Sequence, residues 1–98
     1  MSREKTKEEV RGEFIDYIRS VVDYWSEHGG DSKDVAEGVA FSILTGIDGS
    51  AGGLSFSLDL SVSVHPEDKD YYISEVEDYY QDGMVINDDV HLHDILFK

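Results

Sequence analysis

Between Leu54 and His65 the chain alternates without a break: Leu54, Phe56, Leu58, Leu60, Val62 and Val64 are apolar, while Ser55, Ser57, Asp59, Ser61, Ser63 and His65 are polar. A period of two puts the first set on one face of an extended backbone and the second on the other, which predicts a strand wetted on one side only. The run is long for one strand, so a bend near Asp59 is expected. Pro66 ends it and suits the first turn of a short helix, Glu67 to Glu75, whose early acids favour the positive end of the helix dipole. A turn over Tyr79 to Gly83 and a short strand at Met84, Val85 and Ile86 follow. Val90 to Phe97 reads as a strand opening into a terminal turn, although Leu92, Ile95 and Leu96 also have helical spacing.

Upstream the period changes to three and four. From Glu4 to Glu27, Val10, Phe14, Tyr17, Ile18, Val21, Val22 and Trp25 share one side of an amphipathic helix. Gly12 weakens its start and can delay the ordered part to that point, and Gly29-Gly30 supplies a terminator. Asp31 or Ser32 can cap a second helix with Val35, Val39, Ile43, Leu44 and Ile47 on its buried face; Gly38 and Gly46 weaken it, and Val39 to Leu44 can also be read as a buried strand. Asp48 to Gly53 is a loop by its glycine and serine density. Helices followed by strands predict an α+β fold, two N-terminal helices packed on a small antiparallel β-sheet, in a single domain over 1–98.

Ninety-eight residues, 40% of them hydrophobic, suffice for one core despite a formal charge of −14. Zero cysteines remove disulfides, thiolate zinc and cysteine nucleophiles, and point to a cytoplasmic protein. No apolar run reaches the roughly 20 residues of a membrane span. Residues 31–98 carry only Lys33, Lys69 and Lys98 as cations against fifteen acids. Phosphate backbones and anionic membranes would be repelled by such a chain, which argues against direct nucleic-acid or membrane binding.

The segments Val39 to Gly49, His65 to Tyr72 and Ile86 to Asp94 resemble a group of small bacterial and phage-associated proteins without an established activity. The resemblance covers roughly the last 60 residues, implies a bacterial or phage origin, and carries over no functional residue. Where that pattern has a Gly-Glu-Asn turn before the second tyrosine pair, this chain has Val76, Glu77 and Asp78.

Several constellations have both a chemical and a plain reading. Asp78 to Asp89 partly fits a calcium loop, with acids at positions one, five and twelve and glycine at six, but Tyr80 at position three has no carboxylate and an Asp-Gly turn explains the same residues. His91 and His93 would share one side of a strand and, with Asp94 and candidates Asp88, Asp89 and His65, could hold a metal; solvated or acid-paired histidines are the alternative. The glycine-rich stretch from Gly46 to Gly53 lacks the lysine and following helix of a phosphate loop, and Asp48 has the wrong sign for one. Serines lack a nucleophile-elbow pattern, so no catalytic residue is assigned and no cofactor is expected. Tyr71-Tyr72 and Tyr79-Tyr80 lie within the acidic stretch, one of each pair expected in the core and one near the surface. Two functions remain: an interaction or inhibitor module docking on a basic protein surface through Glu67, Asp68, Asp70, Tyr72, Glu75, Glu77, Asp78 and Tyr80, or a metal-binding module using the C-terminal histidines and aspartates. Acidity serving only solubility or salt adaptation is the competing account of the charge, and association through Trp25 is also open.

Overall fold

A computed structural model describes residues 2–98. The elements are α1 (Lys7–His28), α2 (Ser32–Ile47), α3 (Pro66–Ser74) and α4 (Leu92–Ile95). Two compact units arise from them, one from the segment up to Leu58 together with His91–Lys98 and the other from Asp59–Val90. None of the described helices is long and apolar enough to cross a membrane.

In the first unit α1 starts ahead of Gly12. Thr6 caps it by accepting from the Glu9 amide at 3.2 Å while Glu9 accepts from the Thr6 amide at 3.0 Å, a reciprocal box that satisfies two of the helix's free donors. Arg3 holds the same Glu9 carboxylate through two contacts of 2.8 Å. Gly30, with a φ of 89°, makes the left-handed step into α2, and Asp31 caps that helix by accepting from Asp34 at 2.9 Å.

The two helices approach through glycines of α2 that face aromatic rings of α1. A Cβ on Gly46 would lie 2.4 Å from the Tyr17 ring and one on Gly38 would lie 2.4 Å from the Trp25 ring. Midway between those glycines, Ser42 accepts from the Tyr17 hydroxyl at its carbonyl (2.5 Å) and from the Trp25 indole at its hydroxyl (2.8 Å). Both aromatic polar tips are thereby satisfied within the helix pair. Tyr17, Val21 and Leu54 form the buried centre, flanked by Phe14, Ile18, Trp25, Val39, Ala51 and Phe56, and burial of a side chain of this size contributes about 1.5–3 kcal/mol.

The expected antiparallel sheet does not form, and the fold is helical rather than α+β. Burial alternates residue by residue from Leu54 to His65 as the sequence predicts, yet only one antiparallel bridge, Ser61 with Val85, is made among the described residues. Val62 donates to Met84 at 2.8 Å, Gly83 to Val62 at 2.7 Å and Ile86 to Leu60 at 2.9 Å. At either side the pairing stops because side chains take the next amides: Asn87 accepts from Leu60 and Asp82 from Val64, each at 2.9 Å. Short polar side chains of this kind compete with a backbone ladder. The strand expected at Met84 to Ile86 is thus a single bridge, and Val90 to Phe97 contains the short helix α4 where a strand was expected.

In the second unit, Pro66 opens α3, and the ring Nδ1 of His65 accepts from the Glu67 amide at 3.3 Å. Its C-terminus closes with Val76 donating to Ile73 at 3.1 Å and Glu77 to Tyr72 at 2.9 Å. This is the paired-bond arrangement that places one left-handed residue just beyond a helix. That residue is Val76, with a φ of 57° and 94% exposure. No residue of Asp59–Val90 is buried.

Candidate functional site

Asp48 caps the C-terminal end of α2, and its side chain is 0% exposed. One oxygen, Oδ2, accepts from the His93 amide at 2.9 Å and lies 2.7 Å from His93 Nδ1. Because a carboxylate only accepts, this contact assigns a proton to Nδ1. Burial alone would raise the Asp48 carboxyl, but the His93 amide and imidazole, with the Leu92 amide, outweigh it and hold the group below its ordinary value. The other oxygen, Oδ1, is buried without a hydrogen-bond partner.

The ring of His93 is fixed on its faces as well. Phe41 meets it edge-on at 5.5 Å, and His91 stacks against it at 5.5 Å between centroids. Phe41 in turn stacks on Phe97 at 6.3 Å, so the C-terminal turn is seated on α2 by aromatic contacts. The free edge of His93, Nε2, lies 3.2 Å from Asp94 Oδ1, and His91 Nδ1 lies 3.8 Å from Asp94 Oδ2. His91, His93 and Asp94 each offer one ligand atom within 4.8 Å of the others. Among the described residues they form the one such group; of the expected carboxylates and the further histidine, Asp94 is in it and Asp88, Asp89 and His65 are not.

The segment Asp78 to Asp89 brings no third ligand into a calcium loop; Asp82 is engaged by the Val64 amide. Its Gly83, with a φ of 83°, makes the turn that the Asp-Gly reading describes. Nothing in the sequence pointed to Asp48 as a tertiary partner. Its one signal was a carboxylate directly after the apolar stripe of α2, four residues beyond Leu44.

The residues proposed for partner binding all lie in the second unit. Glu67, Asp68 and Asp70 are on α3, Glu75 caps its end, and Glu77 and Asp78 follow it; all six are exposed. Tyr72 is half-buried and meets Tyr71 at 5.8 Å and Tyr80 at 6.1 Å, both edge-to-face. Neither tyrosine pair places a ring in the core as expected, since Tyr72 is only half-buried and Tyr79 and Tyr80 are both exposed. Lys69, the unit's one cation apart from its histidine, sits 5.3 Å above the Tyr79 ring.

Comparison with protein families, with curated proteins and with solved structures finds no match.

Proposed function

We propose that the chain is an interaction module whose Asp59–Val90 unit docks on a basic protein surface. The observation that carries this reading is the state of its charges. Ten carboxylates face a single lysine in this segment, and no ion pair forms within it among the described residues. Unneutralised acids raise a negative potential that speeds encounter with a cationic partner and disfavours nucleic acid. Exposed Tyr71, Ile73, Val76, Tyr79 and Tyr80 lie among them, and side chains of this kind supply contact area once encounter has occurred. In this reading Glu67, Asp68, Asp70, Glu75, Glu77 and Asp78 form the charged rim, with Tyr72 and Tyr80 as the paired rings behind it.

The test immobilises the purified chain, exposes it to cell lysate at low salt and elutes with stepped salt, followed by mass spectrometry. A stoichiometric partner that is lost when the six rim acids become amides, and weakened by Tyr80→Ala, supports the reading. Retention of the same generic basic proteins by an unrelated chain of equal charge would assign the acidity to solubility instead.

A further inference from the structure

We propose that His91, His93 and Asp94 form a binding site for a divalent ion of the zinc class, with Asp48 as the residue that orients His93. His93 Nε2 and Asp94 Oδ1 lie 3.2 Å apart. Asp48 Oδ2 accepts the hydrogen bond from Nδ1–H, which leaves Nε2 as the ring nitrogen that can ligate. A cation between Nε2 and Asp94 Oδ1 would be held by both.

Spacing agrees with a small metal ion. Zinc bonds to imidazole and carboxylate are about 2.0–2.2 Å, which puts neighbouring ligand atoms of a tetrahedron about 3.3–3.5 Å apart. The separation of 3.2 Å between His93 Nε2 and Asp94 Oδ1 is close to that span, and one ligand atom from each of the three residues lies within 4.8 Å of the others. Two imidazoles and one carboxylate favour zinc-like ions over magnesium or calcium, which prefer oxygen-rich sites. Three protein ligands leave a fourth position for water or for a donor from another molecule.

Asp48 supplies the second, independent observation. A carboxylate sealed from solvent, 2.7 Å from the far nitrogen of a candidate ligand, is the arrangement that fixes the tautomer and aim of metal-bound histidines. His93 is held ready at 14% side-chain exposure, while His91 and Asp94 are open to solvent at 56% and 60%. The site belongs to the first unit and stands independently of the acidic docking surface.

The experiment is a titration of the whole chain with zinc chloride alone, followed by calorimetry and by NMR of the histidine rings. One ion per chain is expected, with His91 and His93 resonances shifting and no response to magnesium. His91→Ala and Asp94→Asn remove exposed side chains, so these variants retain the fold, and each should weaken binding about tenfold or more. Asp48→Asn should weaken it about 10–100-fold, with a circular-dichroism melt confirming that the variant is folded. Absence of binding at millimolar zinc overturns the proposal. So does binding that persists unchanged in His91→Ala and Asp94→Asn, because the ion would then reside on the carboxylates of the acidic surface.

Discussion

Val76 occupies the left-handed region with a β-branched side chain, a conformation costing about 1–2 kcal/mol that glycine adopts with little strain. Its exposure leaves nothing in the fold to repay that cost. Val76→Gly should therefore raise stability by about 0.5–1 kcal/mol, after allowance for the greater freedom of glycine in the unfolded chain. A urea titration checks this, read as a higher midpoint at constant slope; a lower midpoint would contradict it. If Val76 is part of the docking surface, the same variant binds the partner less well while being more stable. A glycine at this position belonged to the resembled pattern, and no spacing of this chain's own residues pointed to a left-handed turn at Val76. Asp48 was less legible: its partner is 45 residues away, and spacing rules reach only a few turns along a chain.

At the scale of elements, the start of α1 depends on one carboxylate. The Arg3 side chain, followed by the Thr6 amide and hydroxyl, lowers Glu9 from the usual 4.5 to about 2. A depressed carboxylate contributes its stabilisation fully above the ordinary value and loses it as pH falls through the folded value. The first turn of α1 is accordingly expected to stay ordered above pH 4.5 and to fray as pH approaches about 2. Amide shifts of Thr6 and Glu9 followed by NMR across that range test this, with Glu9→Gln expected to remove the transition. Both long helices were readable from their three-four spacing, and the Asp31 cap from its side chain. The α1–α2 contact was not, since Gly38 and Gly46 look like weak points until Trp25 and Tyr17 are seen filling the space above them. Leu54 to His65 shows the same limit from the other side. Its alternation correctly separates the more buried residues from the exposed ones, but a period of two records two faces and not a ladder, and Asn87 and Asp82 take the amides that a sheet would have used.

Across the whole molecule, order is distributed unevenly. The first unit owns the buried centre of Tyr17, Val21, Ile47 and Leu54, whereas Asp59–Val90 has no buried residue. Segments with little buried apolar surface open at lower free energy than core helices. Native-state hydrogen exchange should therefore show the amides of Asp59–Val90 exchanging well before those in the middle of α1 and α2; equal protection in both units would contradict this. Composition gave the charge of that segment, but the absence of internal ion pairs depends on the packing. The placement of Asp48 also has a consequence for how the chain is made. At synthesis rates of about 5–20 residues per second, His93 is added about 2–9 s after the aspartate it binds. Until His93 has been added, the Asp48 carboxylate at the end of α2 has neither the amide nor the imidazole that holds it in the folded chain.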